Sequence, residues 1–337
     1  MTIRSRAAAP AALTLSLALV LTGCGGADPT GDPAPDAQDA TTAPDAADGT
    51  SAGDDSATTS AAAAFPVTLD TAAGEVTIDE QPQRIVSLSP SATETLFAIG
   101  AGEQVVAVDA YSTYPEEAPV TDLSGYDPNV EAIVGYEPDL VVVANDSNDL
   151  VASLDALDIP VLVNPAPADI EAGYDGMAAL GIATGRVDET AGVVEDLRAQ
   201  IDAAFQGAPQ EEGLRVYHEL DDSFYSASSH SFIGSVYERM GAVNIADEAD
   251  ADRAGYPQLT EEAIIEADPQ LIVITDQVSY TAEDVAARPG WADVSAVREG
   301  NIVVVDADIA SRWGPRLPQL VETVAGAMSQ VGAPVGR

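Results

Sequence analysis

Glu131-Ala132-Ile133-Val134, followed by Pro138-Asp139-Leu140-Val141-Val142-Val143, returns later in the chain as Glu262-Ala263-Ile264-Ile265, followed by Pro269-Gln270-Leu271-Ile272-Val273-Ile274. In both copies the proline lies seven residues after the glutamate. Upstream, Arg84-Ile85-Val86 and Arg215-Val216-Tyr217 stand at the same offset from their copies. A fixed internal period is read before any single motif, because it sets the architecture. Each copy reads as a short helix, a proline-containing turn and a fully apolar strand.

Strands without polar alternation are buried on both faces, as in a parallel sheet covered by helices. Such strands are predicted at Arg84 to Leu88, Gln104 to Val108, Leu140 to Val143 and Val161 to Val163. A second set is predicted at Leu214 to Glu219, Leu271 to Thr275 and Ile302 to Val305. Helical patterns alternate with them at Ser91 to Ile99, Asp149 to Leu157, Phe232 to Met240 and Ala282 to Ala287. The expected fold class is therefore α/β: two lobes with mostly parallel sheets covered by helices, joined by one long helix. The N-lobe is placed at 82–167, the connecting helix at 168–207 and the C-lobe at 213–335. Within the connecting stretch, Val187 to Phe205 has the helical period, and Gly207-Ala208-Pro209 stops it. Open α/β sheets bind ligands beyond the carboxyl ends of their strands, so two facing lobes make one ligand cleft.

The N-terminal end supplies an address. Arg4 and Arg6 precede an apolar run from Ala7 to about Leu21, too short for the roughly 20 residues of a membrane span. It ends in Leu21-Thr22-Gly23-Cys24, which resembles the bacterial lipobox, with Cys24 as the lipidated residue. Residues 1–23 are read as a lipoprotein signal peptide. Residues 24–64, rich in Ala, Asp and Thr and lacking Lys and Arg, cannot bury enough surface to offset their ordering entropy. They are read as a disordered acidic tether. The expected location is extracytoplasmic, with the membrane engaged through the lipid alone. Cys24 is the only cysteine, so the folded domain, residues 65–337, has no disulfide to staple it.

The chain carries 56 Asp and Glu against 13 basic residues, all of them arginine, for a net charge of −43. This argues against a nucleic-acid partner and against a basic membrane-binding face. The few arginines of the folded domain are worth following one by one.

Arg84-Ile85-Val86-Ser87-Leu88-Ser89-Pro90-Ser91-Ala92-Thr93-Glu94 resembles the opening of the helical-backbone (class III) substrate-binding proteins of ABC importers, which carry iron–siderophore complexes, haem or cobalamin. Ala110-Tyr111-Ser112-Thr113-Tyr114-Pro115 and Tyr256-Pro257-Gln258-Leu259-Thr260 are similar to segments of the cobalamin-binding members. The likeness runs from about Pro82 to Met328 and implies two lobes on one fairly rigid helix. It also implies that one glutamate on each lobe pairs with arginines of a permease dimer; the matching positions are Glu131 and Glu262. A planar guanidinium fork on a carboxylate would fix register there. Acids in the first turn of a helix also complement its dipole, after caps such as Asp127 and Thr260.

The resemblance further implies a ligand set of Ser89, Pro90 and Tyr111 in the first lobe, and Tyr256, Asp308 and Arg312 in the second. Trp313 could add another flat face. An amide-rimmed macrocycle needs aromatic surface for its faces and a few polar groups for its edges. Asp308 and Arg312, four apart, also fit a local ion pair at a helix start. Where the cobalamin-binding members carry tryptophans, this chain has Gly125 beside Tyr126 and Ala144 beside Asn145. A ferric siderophore, often anionic, would suit an arginine-bearing cleft. Haem would need an axial ligand, for which His218, His230 and several tyrosines are the candidates. His218 also reads as the end of a core strand, and His230 as part of the Ser-rich loop Ser226 to Ser231.

No resident cofactor and no metal site are expected. Two separated histidines do not make a His-rich zinc or manganese cluster. Asp247, Asp250 and Asp252 lack the central glycine of a calcium loop and read as a solvated acidic loop. The rival class is a secreted α/β enzyme. The chain has no Gly-x-Ser-x-Gly elbow, P-loop, Cys-x-x-Cys or His-Glu-x-x-His. A chelatase-like enzyme on the same architecture would use His218 and Glu219. A scaffold with a degenerate cleft is the third class. The expected protein is a non-enzymatic, monomeric receptor for a metal chelate.

Overall fold

The computed structural model describes residues 65–208 and 213–331. The expectations for Cys24, the signal peptide and the tether lie outside the described residues, as do the last positions assigned to the C-lobe. Among the described residues, no helix is long and apolar enough to cross a membrane.

An antiparallel hairpin, β1 (Val67–Thr71) and β2 (Gly74–Ile78), opens the fold. Its alternation puts Val67, Leu69, Val76 and Ile78 on one face, and that face packs on the core of the first lobe. The first lobe then runs β3 (Ile85–Leu88), α1 (Pro90–Ala98), β4 (Val105–Asp109), β5 (Val120–Leu123), α2 (Val130–Val134), β6 (Leu140–Val143), α3 (Leu150–Asp155) and β7 (Val161–Val163). Its five strands are parallel, in the order β5-β4-β3-β6-β7. Successive residues of β6 feed opposite layers: Leu140 and Val142 join one apolar cluster, Val141 and Val143 the other. This is why the strand shows no polar alternation in sequence.

Two helices follow, α4 (Ile170–Thr184) and α5 (Val187–Gly207). Residues 168–207 were expected as a single helix; the chain breaks instead at Gly185, whose φ of 72° closes α4. The Arg186 amide then donates to the Gly181 carbonyl. The long connector is thus α5, at 21 residues about 31 Å. α4 lies against it, with Tyr174 and Met177 in the core of the second lobe and Leu180 and Ala183 in that of the first.

The second lobe comprises β8 (Arg215–His218), α6 (Phe232–Arg239), β9 (Val243–Asn244), α7 (Glu261–Ala267), β10 (Leu271–Thr275), α8 (Ala282–Ala286), α9 (Ser295–Glu299), β11 (Ile302–Val305), α10 (Ala307–Ala310) and α11 (Leu317–Val331). Its four parallel strands take the order β11-β10-β8-β9.

The repeat is three-dimensional. Ile85 pairs with Leu140 in one sheet, and Val216 pairs with Leu271 in the other, each residue 131 positions after its counterpart. Arg84 sends its side chain to the Tyr136 and Glu137 carbonyls, and Arg215 sends its own to those of Ala267 and Asp268, at the same offset. One expected cap is corrected: Asn129, not Asp127, accepts the Ala132 amide and starts α2. Asp127 instead accepts from the Asn148 side chain. Thr260 caps α7 as expected, accepting from Ala263.

Candidate functional site

The carboxyl ends of the two sheets meet. Residues that follow β4 touch residues that follow β11: the Arg312 guanidinium donates to the Tyr111 carbonyl at 3.0 Å. Deeper in, Glu94 on α1 receives a two-pronged bond from Arg316 of the second lobe, at 2.9 and 2.5 Å. Glu94 is only 3% exposed. The Arg316 guanidinium also lies 4.3 Å from the centre of the Tyr114 ring.

Arg312 is the hub. It pairs with Asp308 at 2.5 Å and with Glu94 at 3.6 Å. Asp109 is a third acid near it, buried and held by the Ser112 hydroxyl. Burial pushes the Asp109 carboxyl above its usual range, against the pull of the Ser112 hydrogen bond and the Arg312 charge. The local pair expected between Asp308 and Arg312 is therefore present, inside a larger network that crosses the cleft. Its basic residues, Arg312 and Arg316, face three acids, so the cleft arginine is already neutralised.

Exposed aromatic faces flank this network. Tyr111 and Tyr126 stand at the ends of β4 and β5, 58% and 80% exposed, with rings edge to face at 6.1 Å. Tyr126 joins Tyr111 as a candidate that the sequence reading did not single out. A Cβ at Gly125 would collide with the Leu88 carbonyl, so position 125 takes no side chain. Tyr256 is half exposed in the second lobe, on a loop braced by Asp250. The Asp250 carboxylate accepts from Ser228, His230, Ala254 and Gly255. Burial alone would raise this carboxyl; those hydrogen bonds bring it down to about 2. The expectation of a solvated acidic loop is corrected accordingly, since Asp250 is buried and ties Ser228 and His230 to the Tyr256 loop.

The remaining sequence candidates serve the scaffold. Ser89 is buried; its hydroxyl accepts the Ala92 amide as the cap of α1, and Pro90 occupies the first helical position. Trp313 is 6% exposed, and its ring packs edge-on against Tyr174 and Phe232. The extra open aromatic face expected of it is absent, because those two rings and the backbone of Gly173 on α4 enclose the indole. His230 is bound to Asp250 at 2.8 Å. His218 is fully buried with Nδ1 2.6 Å from the Tyr237 hydroxyl; its Nε2 has no hydrogen-bond partner among the described residues, and the residue lines the cavity beyond β8. Burial lowers His218 to about 4, so its ring is neutral at ordinary pH. Glu219, its neighbour, is fully buried and taken by Arg288 through two bonds of 2.7 Å. Among the described residues, no group of three or more metal-ligating side chains is found.

A cavity of about 420 Å³ opens beyond the ends of β8, β10 and β11, between Asp221, Thr275, Gln277, Tyr280 and Ser311. A larger one, about 780 Å³, lies by the hairpin and the starts of β6 and β7, at the wrong edge of the sheet for the cleft. Glu131 and Glu262 each occupy the first turn of their helix, α2 and α7. Both side chains are exposed and take no hydrogen bond or ion pair among the described residues.

Comparison with known proteins agrees with this geometry. A family model described as periplasmic binding protein matches residues 85–309. A cobalamin-binding protein of Halobacterium salinarum is 32% identical over 258 residues, covering 73% of this chain and 69% of the relative. An uncharacterized ABC transporter substrate-binding lipoprotein of Bacillus subtilis is 33% identical over 257 residues, covering 73% and 80%. Among solved structures, the periplasmic vitamin B12-binding protein of Vibrio cholerae matches with a TM-score of 0.62 at 24% identity, over 75% of this chain and 98% of that one.

Proposed function

Because the chain belongs to the periplasmic binding protein family, we propose that it is the extracytoplasmic receptor of an ABC importer that captures a cobalamin-type metal chelate. In this reading a lipid on Cys24 holds a monomer at the membrane, and an ABC permease dimer receives the ligand.

The observation that carries the choice of ligand is the charge state of the cleft. A free arginine would favour an anionic ferric siderophore. Here Arg312 is ringed by Glu94, Asp308 and Asp109, which favours a ligand without strong negative charge. Tyr111, Tyr126 and Tyr256 offer flat apolar faces, and Asp308 and Arg312 offer an acceptor and donors for an amide-bearing rim. Capture places the macrocycle between these faces, with its edge amides exchanging bonds with the Asp308–Arg312 pair. The Glu94–Arg316 bond keeps lobe movement modest, and the loaded protein meets the permease through Glu131 and Glu262. A role without catalysis is supported by the family and by Glu219, whose carboxylate is held by Arg288 and is not free to act with His218.

Calorimetric titration of the purified protein with cyanocobalamin, a ferric hydroxamate, a ferric catecholate and haem tests this reading. One-to-one binding of cyanocobalamin is expected, with Arg312→Ala weakening it about tenfold or more, since hydrogen bonds to charged groups are lost. Binding of a ferric chelate alone would reassign the ligand. Binding of none of the four would overturn the proposal.

A further inference from the structure

α2 and α7 are too short to hold an orientation unaided: they contain five and seven residues. Helices of one or two turns draw their order from tertiary contacts. Each has one buried side chain, Ile133 in α2 and Ile264 in α7, which occupy equivalent positions of the repeat. Val130 and Val134 in α2, and Ile265 and Ala267 in α7, pack on the same cores but are only partly buried, so one deep anchor and a shallow flank hold each helix.

The second fixed point is an arginine at the start of the neighbouring strand. Arg84 Nε donates to the Glu137 carbonyl at 2.9 Å and to the Tyr136 carbonyl at 3.2 Å, and its Nη2 donates to Tyr136 again at 2.5 Å. Arg215 Nε donates to the Ala267 and Asp268 carbonyls at 2.8 and 2.9 Å, and its Nη2 to the Asp268 carboxylate at 3.1 Å. The clasp is doubled through the main chain. The Asp139 carboxylate accepts the Arg84 amide, and the Gln270 side-chain oxygen accepts the Arg215 amide. Glu137 and Asp268, the clasped residues, both lie in the left-handed region, with φ of 52° and 46°. That geometry turns the last carbonyls of each helix outward, toward the guanidinium.

We propose that Arg84 and Arg215 are positioning residues for permease docking: each guanidinium fork locks the helix that presents a docking glutamate, so that Glu131 and Glu262 point in fixed directions. This rests on the docking reading of the two glutamates. A plain helix cap explains stability at one site; it does not explain why the same fork recurs at both glutamate-bearing helices in a chain with only 13 basic residues. Lysine, a point charge without a fork, would not reproduce the double contact. The two clasps differ in backup. α7 is also held at its start, where Trp291 Nε1 donates to Glu261 at 2.8 Å, and at its end, where Ser295 binds Asp268.

The test uses full-length lipoprotein in two measurements. Hydrogen exchange of residues 132–137 should speed up about tenfold in Arg84→Ala; at residues 263–268 it should speed up only about threefold in Arg215→Ala. Uptake by cells, measured with whichever of the four chelates binds, should fall by about the same factors at unchanged ligand affinity, because a misaimed contact loses register. Arg84→Lys should restore part of each. If Arg84→Ala melts the fold, Arg84→Gln, which keeps a donor without the fork, carries the same expectation. Unchanged exchange overturns the clasp. Unchanged uptake in the arginine variants, while Glu131→Lys with Glu262→Lys abolishes it, overturns the positioning role alone. If the paired glutamate reversal also transports normally, the docking reading itself fails and the positioning role falls with it.

Discussion

In the N-lobe the buried acid beside the cleft, Glu94, finds its cation in the other lobe; in the C-lobe the buried acid, Glu219, is bound by Arg288 of its own lobe. The lobes share strand register, arginine clasp and glutamate-bearing helix, so the difference has a local cause. Paired residues Val141 and Val161 are 20 apart in sequence; their C-lobe counterparts Ile272 and Ile302 are 30 apart. The longer C-lobe connection carries Arg288, Trp291 and Ser295, which bind Glu219, Glu261 and Asp268. The Arg288 guanidinium also lies 4.7 Å from the Trp291 ring. The C-lobe is thus internally braced. The N-lobe, with the shorter connection, satisfies its buried charge across the cleft, and that same bond couples the lobes.

The comparison can be broken most directly through the two acids. Glu219→Ala strands a buried arginine and is expected to lower unfolding stability by about 3–5 kcal/mol, read by urea denaturation. Glu94→Ala strands arginines that are no more exposed, Arg316 at 14% and Arg312 at 12% against 16% for Arg288, so a comparable stability loss is expected. Only Glu94→Ala should also widen the spread of lobe separations, read by small-angle scattering. Unchanged scattering in Glu94→Ala, or an equal widening in Glu219→Ala, would refute the contrast.

Acid should sharpen the same contrast. His218 has Ser87 as its N-lobe counterpart in the strand register, so only the C-lobe carries a titrating group at this position. The unfolded chain protonates this histidine near pH 6.5, the folded chain only near 4. The unfolded state therefore binds more protons in that window. Stability falls as pH drops from 6.5 toward 4, by about 3 kcal/mol in the limit. His218→Gln should flatten that part of the stability–pH curve. A curve unchanged by the substitution would mean that the ring is not held neutral.

The sequence made the repeat, the parallel sheets and their central strands legible, because a doubly buried strand leaves an apolar run that nothing local obscures. Leu140–Val143 and Leu271–Thr275 were read to the residue, as were the edge strands Val161–Val163 and Ile302–Val305, whose residues are all apolar. The hairpin, β5 and β9 were not, since polar residues interrupt their few apolar ones. The connector was read as 168–207 because its Ala- and Glu-rich composition runs on across Gly185, where a single left-handed residue redirects the chain. At the cleft, Asp308 with Arg312 was visible as a pair four apart. Glu94 with Arg316, 222 residues apart, was not, because no periodicity links them. Trp313 looked like an open face because its burying partners, Tyr174 and Phe232, are equally remote.

The central claim is that each lobe contributes one glutamate to a shared docking event. Uptake should be measured in cells whose only copy carries Glu131→Lys and Glu262→Lys, beside the ligand affinity of the same purified variant. Uptake at background with wild-type affinity is the expected result. Transport at the wild-type rate would contradict the account.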